Sequence, residues 1–253
     1  MEVTTMRNET IRKLKNMRLP AFAEAYQYQI NNAMEYIDMS FDERLMLLVD
    51  AEADSQYNNR IARLIKGAHF SESTAFLGNI EYLADRHLNR ELITQLSDNN
   101  YIATAKNIIL VGATGSGKTY IANAFGINAC QAGYKTRYIR LPEFFSELEA
   151  ARIQGKYTKV MKKFQNVPLL ILDEFLLLPT SESEQAALLE LMEYRCGSTS
   201  TIFCSQFMPE GWHQRLGNSV IADSILDRII PISFLMEIRG DVSMRQRRSA
   251  IYR

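Results

Sequence analysis

The segment Gly112-Ala113-Thr114-Gly115-Ser116-Gly117-Lys118-Thr119 constrains this chain more than any other stretch. It satisfies the pattern G-x-x-x-x-G-K-[ST] at every defined position. It also follows a short apolar run, Asn107-Ile108-Ile109-Leu110-Val111, and precedes a helix-forming stretch, Tyr120 to Ala132, that Gly133 stops. A strand, a glycine-rich turn and a helix in that order wrap successive backbone N–H groups around phosphate oxygens. The helix N-terminus adds its positive dipole end. In such a loop Lys118 reaches the β- and γ-phosphates of ATP, and the Thr119 hydroxyl is a ligand for Mg2+. A dinucleotide-binding turn fits worse, because Tyr120 stands where the third glycine of that motif belongs.

A second acidic feature narrows the chemistry. Leu169-Leu170-Ile171-Leu172-Asp173-Glu174 is an apolar strand ending in two adjacent carboxylates. Side chains alternate along a strand, so the two acids have different tasks. Asp173 is expected to hold the magnesium with its waters, and Glu174 to polarise the water that attacks the γ-phosphate. A small-molecule kinase has no use for a hydrolytic glutamate, and a GTPase would carry an N-K-x-D motif, which this chain lacks. A hydrolysing ATPase is the better reading.

The surrounding pattern predicts an α/β fold. Strand candidates at Asn107–Val111, Thr136–Ile139, Leu169–Leu172, Thr199–Cys204 and Ile229–Phe234 alternate with helical stretches, as in a three-layer domain with a mainly parallel five-stranded sheet. Residues 1–70 are expected to form a small helical domain. Phe22, Ala25, Tyr26, Ile30, Ala33, Met34 and Ile37 share one helix face behind Pro20. Ser40-Phe41-Asp42-Glu43 is a capping-box signature for a second helix, with Gly67 as its stop. Residues 71–253 form the second predicted domain, opening with a polar linking segment, 71–100, that holds a short helix around Leu88 to Leu96. Three cysteines without a C-x-x-C and three scattered histidines exclude a disulfide framework or zinc knuckle. A basic N-terminus without an apolar core is no signal peptide, and the longest apolar run, Ile229 to Met236, cannot span a bilayer. Both point to the cytoplasm and away from membranes.

The remaining motifs resemble the IstB-like branch of AAA+ ATPases, helper proteins of insertion-sequence transposition and relatives of the DnaC helicase loader. The leader "KLKNMRLPAFAEAY" and "SFDERLMLLVDAEADSQYNNRIARLIKGAHF" carry the likeness, as do "NIILVGATGSGKT", "ACQAGYKTRYI", "LLILDEF", "SQFMPEGWHQRLGNSVIADSILDRI" and "IRGDVSMRQR", in family order. The resemblance implies a polar sensor of the γ-phosphate at Gln206, where Asn is commoner and Ser205 is a rival. It implies an arginine finger at Arg228, which would complete a neighbouring subunit's site in a ring or spiral homo-oligomer. It implies a second sensor at Arg245. The segment Phe175-Leu176-Leu177-Leu178-Pro179 departs from the family in lacking the glycine often found there. With 17 residues after Met236, little or no C-terminal helical lid is expected.

Charge points to the partner. Net charge is zero, but residues 1–100 lean acidic by four and residues 101–253 basic by four. No acid lies between Glu149 and Asp173, where Arg152, Lys156, Lys159, Lys162 and Lys163 fall. Their spacing predicts that Arg152, Lys156, Lys159 and Lys163 share one helical face, a footprint for a phosphate backbone, and the resembling family contacts DNA there. Further basic residues lie at Arg7, Arg12, Lys13, Lys15 and Arg18, and at Arg239, Arg245, Arg247, Arg248 and Arg253. The expectation is an ATP-dependent, double-stranded-DNA-binding ATPase that recruits or activates a transposase. The alternatives are a helicase loader favouring single strands, a small-molecule kinase, and an interaction protein with a vestigial nucleotide site.

Overall fold

A computed structural model describes residues 2–240 and 242–249. The chain divides into two units, Met1–Arg63 and Leu64–Arg253. In the first, α1 (Glu2–Asn16) and α2 (Pro20–Asn31) precede α3 (Phe41–Ala68). Pro20 occupies the first turn of α2, where its missing N–H costs nothing. Ser40 and Glu43 form the expected reciprocal cap: the Ser40 N–H donates to Glu43 Oε2 at 2.7 Å and the Glu43 N–H to Ser40 Oγ at 3.3 Å. The helix runs through Gly67 and ends at Ala68, and His69 turns the chain with a left-handed φ of 59°. A buried Glu52 ties α3 to α2 by accepting from the Phe22 N–H at 3.0 Å.

The second unit is the nucleotide-type α/β layer structure. After α4 (Arg90–Leu96) and the single turn α5 (Asn100–Ala103) come β1 (Asn107–Gly112), α6 (Lys118–Gln131), β2 (Thr136–Arg140), α7 (Leu141–Ile153), α8 (Tyr157–Gln165), β3 (Leu169–Asp173) and α9 (Glu182–Arg195). Then follow β4 (Ser200–Ser205), the short α10 (Trp212–Arg215), α11 (Val220–Ile229), β5 (Ser233–Ile238) and α12 (Met244–Arg248). The sheet order is β2-β3-β4-β1-β5, and every pairing is parallel. Both faces are covered, which explains the unbroken apolar runs of β1 and β3. Ile108, Leu110, Leu169, Ile171, Ile202 and Cys204 pack toward α6 and the linking segment. Their alternating neighbours Ile109, Val111, Leu170, Leu172 and Phe203 pack on the other core, with residues of α7, α8, α9 and α11.

The last strand corrects its predicted position. It begins at Ser233, because Ile229 is the buried end of α11 and a 3-10 turn, Ile230–Ile232, carries Pro231. A continuous apolar run is equally compatible with a buried helix end and a strand. After β5 the described residues hold one short helix, α12, five residues long. No helix among the described residues is long and apolar enough to cross a membrane.

Arg195 locks the sheet's entry side. It is fully buried, and its Nε donates to Thr201 Oγ1 at 2.9 Å. Nη1 reaches the carbonyls of Phe164 (2.7 Å) and Val167 (2.9 Å), and Nη2 that of Ser200 (2.5 Å). Burial pulls its pKa downward, yet the converging carbonyl dipoles hold the guanidinium charged. Arg195→Met should therefore destabilise the fold by about 3 kcal/mol in urea unfolding. A loss below about 1 kcal/mol would show that the carbonyls find other partners.

Candidate functional site

The phosphate loop closes between β1 and α6. Gly115 and Gly117 take left-handed φ of 81° and 97°, a conformation that L side chains rarely adopt. Lys118 curls back over the loop, and its Nζ donates to the carbonyls of Gly112 (2.6 Å) and Ala113 (2.9 Å). Burial draws its pKa below the ordinary lysine value, and the charge of Arg245 acts in the same direction. A cavity of about 370 Å³ opens on Gly115, Gly117, Lys118, Thr119, Tyr120 and Arg245.

Thr119 and Asp173, 54 positions apart in the chain, meet here: Thr119 Oγ1 donates to Asp173 Oδ2 at 2.8 Å. Asp173 is almost fully buried at the end of β3. Its Oδ2 also accepts from Tyr138 Oη at 2.8 Å, and its Oδ1 from the Glu174 N–H at 2.8 Å. Burial and then the Asp173 charge push the Tyr138 phenol above its usual pKa, so it stays a donor. Two hard oxygen donors in reach of one point, at the foot of a phosphate loop, suit magnesium, which takes few protein ligands and completes its shell with phosphate and water.

Glu174 leaves the strand with φ 53°, and Leu176 follows with φ 54°. Leu176 is the left-handed position that a glycine in the Phe175–Pro179 segment would ease. Other contacts hold both residues. Ser205 Oγ donates to the Phe175 carbonyl at 2.9 Å, and Arg215 donates to the carbonyls of Leu176 and Leu177 while lying 3.9 Å from the Phe207 ring centroid. Arg140, at the end of β2, lies 3.7 Å from the Glu174 carboxylate and also bonds Glu143. Of the two sensor candidates, Ser205 is buried and committed to this network, accepting from Trp212 Nε1 at 3.2 Å. Gln206 is exposed just beyond β4.

The far end of the chain returns to the loop. The Met244 N–H donates to the Gly115 carbonyl at 2.9 Å, which sets α12, and Arg245 with it, beside the phosphate loop. Arg247 pairs with Asp85 of the linking segment. Arg228, by contrast, sits in the last turn of α11, bonded to the Ser224 carbonyl at 2.7 Å and to Glu193 Oε1 at 3.1 Å.

The basic stretch departs from the expected single helical face. Gly155, with φ 66°, ends α7, and the Lys156 N–H folds back to the Ala151 carbonyl at 2.7 Å. Arg152 therefore belongs to α7, where it pairs with Glu149 at 3.1 Å and lies 5.1 Å from the Tyr157 ring centroid. Lys156 caps α8, and its Nζ donates to Gln154. The exposed Lys159, Lys162 and Lys163 share the outer side of α8, opposite the buried Met161 and Phe164. In the tail, Arg239 pairs with Glu237. Asp241, Arg253 and the side chain of Arg248 lie outside the described residues.

Arg86 is a site residue without a sequence signal. It is 4% exposed, and its Nη2 donates to the Ser116 carbonyl at 2.9 Å, its Nη1 to that of Glu81 at 2.6 Å. A Cβ at Gly117 would lie 2.9 Å from that same Nη2. Its charge thus braces the loop from beneath. Arg86→Met is expected to weaken binding of a fluorescent ATP analogue about tenfold; unchanged affinity would make the brace dispensable.

Known proteins resemble this chain in sequence and in fold. A family model described as IstB-like ATP binding protein matches residues 12–251. The insertion sequence ATP-binding protein y4pL of Sinorhizobium fredii is 33% identical, over 94% of this chain and 97% of its own. The ATP-binding protein of insertion sequence IS1162 from Pseudomonas fluorescens is 35% identical, over 79% of this chain and 87% of its own. Among solved structures, DnaI superposes with a TM-score of 0.57 at 23% identity, covering 68% of this chain and 91% of that one. AMPPCP-bound DnaA from Aquifex aeolicus gives 0.55 at 24% identity over 68% of this chain, which spans about half of it, 52%. These two likenesses are of fold. With nearly its whole length matched by the family model and by relatives above 30% identity, the chain belongs to the IstB-like ATP-binding family.

Proposed function

We propose that this protein hydrolyses ATP, assembles on double-stranded DNA and brings a transposase to that DNA. The observation that carries the catalytic half is the meeting of Thr119 and Asp173 at 2.8 Å beside the phosphate loop, with Glu174 next in the chain. ATP is held by the N–H groups of residues 112–119 and by Lys118, whose ammonium exchanges the Gly112 and Ala113 carbonyls for phosphate oxygens. Thr119 and Asp173 hold a magnesium ion, which when bound neutralises charge on the β- and γ-phosphates. Glu174 orients the attacking water and accepts its proton. Arg245 and Gln206 report the γ-phosphate, and Arg228 leaves Glu193 to complete the site of a second copy.

The DNA half rests on the lysines of α8, where Lys159, Lys162 and Lys163 face solvent with no acid on their own helix. Arg152 and Lys156 flank them from the adjoining turn. Such contacts fix position on the phosphate backbone and carry little base preference. The family's association with insertion sequences, printed in the names of its relatives, supports transposition as the setting.

Three measurements test this. Glu174→Gln should lower ATP turnover about a hundredfold or more while ATP binding persists; intact turnover would remove the catalytic assignment. Arg228→Ala should cost on the order of a thousandfold in turnover, recovered in part by mixing with Glu174→Gln subunits, which supply an intact Arg228. Full activity of Arg228→Ala alone would end the in-trans role. Binding of labelled duplex and single-stranded DNA across a salt series should show ATP-dependent preference for duplex. Each α8 lysine changed to alanine should flatten the salt slope by about one unit. Preference for single strands would instead favour a helicase loader.

A further inference from the structure

We infer that Tyr138 is a positioning residue for Asp173, holding the carboxylate in the orientation that receives a divalent cation. The inference rests on Thr119 and Asp173 being the cation's donors. Asp173 Oδ2 accepts from two hydroxyls at the same 2.8 Å distance, Thr119 Oγ1 and Tyr138 Oη. Their situations differ. Thr119 lines the open cavity, so its bond to Asp173 is the one that a cation and its waters would replace. Tyr138 reaches Asp173 from β2 through the buried core beneath α6 and is itself 7% exposed. Its bond survives loading.

The phenol is fixed from its other side as well. Ser71 of the linking segment lies beside the Tyr138 hydroxyl. Ser71 Oγ in turn accepts from Nδ2 of Asn123, a fully buried residue of α6, at 2.8 Å. Asn123 thus holds Ser71 beside the phenol, and the phenol in turn holds the Asp173 carboxylate. Such an outer partner sets the direction of a ligand's lone pairs, and its loss typically weakens metal binding ten- to a hundredfold. Phenylalanine fills the same volume without the donor, so the role can be separated from packing.

The test uses the full-length protein and a fluorescent ATP analogue, titrated with MgCl2 and separately measured in EDTA. Mn2+ electron paramagnetic resonance in the presence of the analogue reads the cation directly. Tyr138→Phe should leave analogue affinity in EDTA at the wild-type value and raise the cation concentration for half-saturation about tenfold or more. Ser71→Ala should shift the same midpoint in the same direction by less. A purely structural role would lower affinity in EDTA as well. A wild-type cation midpoint in Tyr138→Phe overturns the inference alone. Nucleotide binding by the wild type that ignores Mg2+ and Mn2+ overturns the cation reading, and the inference with it. Should Tyr138→Phe unfold at the assay temperature, Ser71→Ala decides, an unchanged midpoint counting against.

Discussion

The contact between Thr119 and Asp173 is the constraint around which the second unit is arranged. One residue opens the helix after β1, and the other closes β3, and β4 lies between those two strands. The side chains can touch only if the end of β4 stays low. Cys204 and Ser205 occupy that place: both are small and fully buried, with Cys204 paired to Leu110. A bulkier residue would lift the carboxylate away from the phosphate loop. The same requirement explains the apolar runs of β1 and β3. Only a sheet packed on both sides is rigid enough to hold two groups from different strands at hydrogen-bond distance.

Glu174 depends on that arrangement at one remove. Its position is set by a turn with two left-handed residues, which costs conformational energy unless neighbours over-determine it. The neighbours come from the segment after β4. Ser205 holds the Phe175 carbonyl, Arg215 holds the next two, and Trp212 joins Ser205 to Phe207. Anything that moves the end of β4, where the sensor candidates lie, is mechanically linked to the carboxylate expected to activate water.

Much of this was legible in the sequence because it is local. The phosphate loop, the acid pair ending β3 and the cap at Ser40 are each defined within eight residues, and each lies where the pattern placed it. What escaped depends on long-range contact or on a single backbone angle. Gly155 carries no more apparent signal than any other glycine, yet its φ of 66° splits the basic stretch between two helices. The start of β5 was hidden because Ile229 to Met236 is apolar except for Ser233, whether helical or extended. Arg86, Arg140 and Tyr138 act on residues 30 to 35 positions away, and no spacing rule links them to the loop or the acids.

Arginine shows why charge counts alone misjudge a basic surface. Arg86, Arg195 and Arg215 spend their donors on main-chain carbonyls and act as staples for the phosphate loop, the sheet's entry side and the turn beyond Glu174. Arg152, Arg228, Arg239 and Arg247 each face a carboxylate. Many of the arginines are thus committed to partners within the fold. The guanidinium's planar fork suits both tasks, since it matches carbonyl clusters and carboxylates alike. Lysine is a flexible and strongly hydrated point charge; outside the phosphate loop, where Lys118 is buried, the lysines of α8 remain in water. That division leaves the outer side of α8, with Lys159, Lys162 and Lys163, as an exposed basic surface, the one proposed above to displace counterions from a phosphate backbone.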